Sequence, residues 1–181
     1  HLDYPAQKLC PHSPEASTAL TDLDTAIGRL IDGFHEAGLN DTLWLAAGEY
    51  VITEAEGVSY PNRILREAGF LSLDEQDGRE LLMPGKSRAF ALADHQLAHI
   101  YVKDPTDVDA VAKLFRHDAD VAYTLVGEDR KEFGMDHPRS GEIVLISHPE
   151  KWFAYYWWLD DAKAPEFART VDIHRKLGYD P

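Results

Sequence analysis

Sulfur is scarce in this chain, with one cysteine, Cys10, and two methionines among 181 residues. A single thiol cannot build an internal disulfide framework, so the fold must be held by its core. Cys10 lies in a Cys-Pro-His-Ser-Pro loop where nothing adjacent in sequence lowers its pKa, and it reads as filler. Cations are also short: 18 Lys and Arg stand against 32 Asp and Glu, a net charge of −14. A field of that sign repels nucleic acid polymers, and no basic aromatic stripe offsets it. An anionic substrate would need a local inversion of the field, for which bound divalent cations are the usual means. No apolar run approaches the roughly 18 residues that a membrane span requires. The nucleophile motifs are missing too. There is no GxSxG, P-loop or GxGxxG, and no Ser, Thr or Cys stands in a convincing pair with a base. The chain opens on His1 with no signal-like segment before it, so a piece of a longer parent, located in the cytoplasm, is expected.

What is present is an ordinary globular balance, 44% apolar and 28% charged residues. His1 to Tyr4 read as the end of a strand running into a loop, which would put His1 and Asp3 on one side. Ser13-Pro14 is a helix start, and apolar residues from Ala19 to Phe34 recur at three- and four-residue intervals up to Gly38. TLWLAA, residues 42–47, has the composition of a strand buried on both faces of a parallel sheet. Glu49 would then stand at that strand's C-terminal end, where open α/β sheets place their ligands. Further along, a short helix over 61–68, hairpins around Asp77-Gly78 and Asp94-His95-Gln96, a helix from Asp104 and strands over 121–126 and 142–147 complete an α/β pattern.

Three other groups carry chemical potential. His95 and His99 are four apart, a metal-compatible spacing, but without the HExxH carboxylate a structural role is favoured. Asp136-His137-Pro138-Arg139 has the charge and rigidity of a functional loop and equally of a salt-bridged one. WFAYYWW, residues 152–158, offers a stacking surface for a nucleobase, although burial in a core is the commoner fate of such a run. The last stretch, FARTVDIHRKLGYDP, gathers His174 between Asp172 and Asp180, and Asp172 is a sequence-near acceptor for an imidazole N–H.

Taken in order, HLDYPAQ, LWLAAGEYVIT, DHPRSGEIVLI and DIHRKLGYDP resemble the alkaline phosphatase superfamily, and within it the type I phosphodiesterase/nucleotide pyrophosphatase family. The resemblance covers the C-terminal half of that family's catalytic domain. It implies an α/β fold with a three-layer α/β/α core and a smaller α/β lobe inserted. Residues 1–69 would be core, 70–126 the lobe, and 127–181 the return to the core. It implies two divalent metal ions, zinc first and Mn or Mg as alternatives. Asp3 matches a metal-binding aspartate and His174 the late histidine ligand. Gln7 stands where a second histidine is expected, with His1 a possible substitute, and Gly48-Glu49 replaces an Asp-His pair, so that only Glu49 ligates there. Oxygen donors in place of imidazoles move the preference from zinc toward Mg or Mn. No catalytic residue is assigned within the chain, because the family's nucleophilic Thr or Ser belongs to an upstream half. The expected function is metal-dependent hydrolysis of phosphodiester or pyrophosphate bonds in a small phosphate ester or nucleotide. The alternative is a catalytically silent binding protein on the same fold.

Overall fold

The computed structural model of the chain describes residues 2–48 and 50–168, and it begins with a helix, α1 (Asp3–Leu9). This corrects the strand expected for His1 to Tyr4. Asp3 in the first turn and Lys8 in the last both complement the helix dipole, while Ala6, Gln7 and Leu9 are good helix formers. Pro5 is tolerated because the first-turn N–H groups have no intrahelical acceptor in any case. The consequence matters for function: on a helix, positions 3 and 7 share one face.

The described residues divide after Glu54 into two compact units. In the first, α1 is followed by α2 (Pro14–Glu36), which starts as its sequence predicts. The Ser13 hydroxyl accepts from Ala16 N at 3.1 Å, and Pro14 fills the first helical position. Past its end, Gly38 takes φ +79°, a conformation open to glycine at little cost. Ala16 and Ala19 are buried, but Leu20, Leu23, Ile27 and Leu30 of the same helix are exposed. The apolar stretch that follows forms no strand among the described residues. Leu43 is 93% and Leu45 90% exposed, so the buried parallel strand expected for TLWLAA is not seen. Apolar composition made the stretch look like a core strand, but a strand requires a partner ladder, and no described residue pairs with it. Trp44 packs edge-to-face on Phe34 at 5.0 Å, and the Thr42 hydroxyl donates to Leu39 O at 3.0 Å.

The second unit is built from β1 (Gly57–Ser59), α3 (Pro61–Glu67), β2 (Leu73–Gln76), β3 (Arg79–Leu82), β4 (Ala89–Asp94) and β5 (Leu97–Val102). It continues with α4 (Val108–Phe115), β6 (Val121–Val126), α5 (Asp129–Glu132), β7 (Ile143–Ser147) and β8 (Lys151–Phe153). Strands β4-β5-β7-β6 form one antiparallel sheet, β2 and β3 a hairpin, and β1 pairs in parallel with β8. Positive φ at Asp77 and Gly78 gives the tight hairpin turn that the Asp-Gly dipeptide announces. Alternation along β5 buries Ala98, Ile100 and Val102 against Val111, Ala112 and Phe115 of α4 and Leu65 of α3. The sheet takes three strands from residues 70–126 and one, β7, from beyond them. The chain is thus mixed α/β with several sheets. No helix of the described residues is long and apolar enough to cross a membrane.

Candidate functional site

Asp3 is the centre of a small polar cluster in the first unit. The helical spacing of α1 brings Gln7 alongside it, and the Gln7 amide Nε2 donates to Asp3 Oδ1 at 2.8 Å. A second donor reaches the same oxygen from far along the chain: the Tyr50 hydroxyl, at 2.6 Å. Asp3 is half-buried, and a cavity of about 420 Å³ opens beside it. Leu2, Ala6, Pro11, Leu20 and Ile52 give that cavity apolar walls, with Asp3 and Tyr50 among its polar groups.

The donor geometry bears on what Asp3 can hold. Both hydrogen bonds fall on Oδ1. Gln7, its nitrogen committed to Asp3, has its carbonyl oxygen Oε1 as the remaining donor. A hard divalent cation takes several oxygen donors, and Asp3 is the single carboxylate among the residues lining this cavity. Among the described residues no group of three or more His, Cys, Asp or Glu is arranged to hold a metal ion. Glu49 and His174, the other ligands expected from the sequence, lie outside the described residues, as do His1 and Asp172.

A second polar pair closes the same unit. The Cys10 thiol donates to Glu54 Oε1 at 2.9 Å, and this bond to a carboxylate raises the thiol pKa. A thiol held protonated is a poor nucleophile at neutral pH. Its backbone has φ +83° at the turn between α1 and α2.

The remaining sequence candidates lie elsewhere in the second unit. His95 occupies the β4–β5 turn at φ +53°, exposed, with Asp94 3.7 Å away. His99 points its Nδ1 at the backbone of another strand's approach, accepting from Gly141 N at 3.2 Å. His137 does the same locally, its Nδ1 accepting from Arg139 N at 3.2 Å. In the aromatic run, Phe153, Trp157 and Trp158 are core residues, Trp157 donating to Glu80 O at 2.9 Å. Tyr50 is the residue that sequence reasoning passed over. Its place in AAGEYVIT, directly after Glu49, was the available signal, but the partner is Asp3 and no local pattern links the two.

Comparison with known proteins adds one finding. A model of the family described as type I phosphodiesterase / nucleotide pyrophosphatase matches residues 1–180. No curated protein and no solved structure matches the chain.

Proposed function

The chain belongs to the type I phosphodiesterase/nucleotide pyrophosphatase family, and from that premise we propose that it acts as a metal-dependent hydrolase of phosphodiester or pyrophosphate bonds. The substrate is a small phosphate ester or nucleotide, consistent with an acidic chain of net charge −14 that repels polyanions. The observation that carries the reading is the match over residues 1–180. The pairing of Asp3 with Gln7 brings two of the proposed ligand residues together.

Two divalent cations are proposed as the cofactors. Asp3 and His174 would hold one, with Gln7 Oε1 as an additional donor, and Glu49 would face the other. When bound, such cations polarise phosphoryl oxygens and stabilise the charge that develops in the transition state. The residues of this chain bind and orient: Gln7 and Tyr50 hold Asp3 Oδ1, and Asp172 is positioned by sequence to accept an N–H of His174. The oxygen donors at 7 and 49 favour Mn or Mg where the family pattern would favour zinc. The attacking Thr or Ser is assigned to an upstream segment. The three-layer core belongs to the same proposal, as does a lobe over residues 70–126 that governs substrate choice, its sheet joined by β7 from beyond those bounds.

A second reading, a catalytically silent binding protein on the same fold, draws on Gln7 and Gly48, which stand where the family pattern has metal-binding His and Asp. Hydrolysis of a nitrophenyl phosphodiester by the complete gene product, assayed with Zn, Mn and Mg in turn, separates the two. Turnover with any of the three supports the hydrolase. Absence of turnover at full metal occupancy supports the binding protein.

A further inference from the structure

On the face of the four-stranded sheet turned away from α4, residues 133–141 are held down through an imidazole. Register puts His99 of β5 beside Val144 of β7, and Val144 beside Leu125 of β6. Alternation turns all three away from Ile100 and Ile143, which pack in the core with α3 and α4. Val144 and Leu125 are buried all the same. Residues 133–141 reach their face of the sheet at three points. Phe133 packs on the Tyr123 ring at 5.2 Å, Arg139 O accepts from the Tyr101 hydroxyl at 3.0 Å, and Gly141 N donates to His99 Nδ1 at 3.2 Å. We propose that His99 is a pH-sensitive latch: its neutral imidazole holds residues 133–141 on the sheet, and protonation releases them. The inference goes beyond the hydrolase reading and does not rest on it.

The physical argument lies in what each ring nitrogen can do. Because Nδ1 accepts the Gly141 N–H, it carries a lone pair, and the ring's single proton sits on Nε2. Protonation puts a second N–H on Nδ1, so that two donors face each other in a part-buried place and the bond is lost. Gly141 has no room to give way. A Cβ added there would lie 2.6 Å from Ile100 O, and Arg130 Nη1 donates to the Gly141 carbonyl at 2.7 Å. The charged groups around the ring do not favour its cation. Arg130 is itself a cation, Glu142 is engaged by Val102 N at 2.7 Å, and Asp94, on the same face of β4, stands 3.7 Å from His95. Tyr101 keeps its hydroxyl on Arg139 O, and the strand neighbours level with His99 are Leu92 and Val144. Within the segment, Asp136 is exposed and His137 Nδ1 accepts from Arg139 N at 3.2 Å, a second bond that needs a neutral ring. A contribution that requires neutral imidazole is present above the histidine range and lost as pH falls through it, from about 8 to about 5.5.

The test is amide exchange of Gly141 in the full chain over that range, corrected for the intrinsic pH dependence of exchange, with the histidine ring nitrogens followed by NMR. The latch predicts an Nε2–H ring for His99 at the upper end. It also predicts a loss of Gly141 protection of about tenfold, with the midpoint of that ring's own titration. His99→Asn keeps an acceptor near the Nδ1 position and cannot take the proton, so its Gly141 protection stays level over the same range. His137→Asn removes the second imidazole and keeps the parent's dependence. Gly141 protection that stays level while the parent's His99 titrates overturns the latch, a result that needs no variant to fold. A ring that stays neutral throughout, or that carries its proton on Nδ1 at the upper end, overturns it as well. An equal loss in His99→Asn, or its disappearance in His137→Asn, assigns the pH dependence to another group and overturns the role of His99.

Discussion

At the scale of single residues, two side chains have measurable duties outside the proposed site. The Cys10 thiol donates to the Glu54 carboxylate, and that bond is the main cause of its raised pKa. The thiolate fraction at mildly alkaline pH is therefore smaller than for a free cysteine, and alkylation slower. Glu54→Ala should lower the pKa and speed reaction with iodoacetamide at pH 8; an unchanged rate would show that the bond does not govern the thiol. Asn62 does heavier structural work. Only 1% exposed, it accepts from Ala91 N at 2.8 Å and donates to Ala91 O at 2.9 Å and Tyr155 O at 3.1 Å. In effect it supplies the edge of β4 with a missing strand partner. Asn62→Ala strands two buried backbone groups of Ala91 and a part-buried one of Tyr155, and should destabilise the second unit by about 3 kcal/mol, read from urea unfolding followed by tryptophan fluorescence.

At the scale of elements, caps and turns were what the sequence declared most clearly. Ser13-Pro14, Asp77-Gly78 and Gly69 each act through short-range backbone constraints, so the helix start, the hairpin and the end of α3 were legible before any packing was known. Asp104 belongs with them: its carboxylate accepts from Thr106 N at 2.9 Å and from the Thr106 hydroxyl at 2.7 Å, capping the turn that leads into α4. Those bonds, the backbone one first, depress its pKa. A depressed folded-state pKa means a contribution that is present above the unfolded aspartate value and lost as pH falls through the folded one. Acid should therefore loosen the start of α4 below the usual aspartate range, and Asp104→Ala should remove that part of the acid dependence in amide exchange of residues 106–108. Long-range facts were less legible. TLWLAA was apolar enough for a core strand, but whether a strand forms depends on a neighbour that composition does not reveal. HLDY was misread because an alternation of four residues fits an extended segment and a first helical turn alike, and only the residues after Pro5 decide. Of the polar cluster, Asp3 and Gln7 were singled out through the motif order, whereas Tyr50 was not, since its bond to Asp3 spans a separation that no periodicity encodes.

At the scale of the whole molecule, the account joins residues from the opposite ends of the sequence. A net charge of −14 makes the chain a poor host for a phosphate ester unless cations intervene, and Asp3 near the start and His174 near the end are the ligands proposed to hold one. The direct measurement is Zn²⁺ and Mn²⁺ affinity of the complete protein carrying His174→Ala, set against His95→Ala and His137→Ala. The other two histidines serve as internal controls, because His137 caps a local turn and His95 sits exposed in the β4–β5 turn. The account predicts that His174→Ala weakens binding by at least about tenfold, while His95→Ala and His137→Ala leave it unchanged. Equal affinity in all three variants and the parent would contradict it.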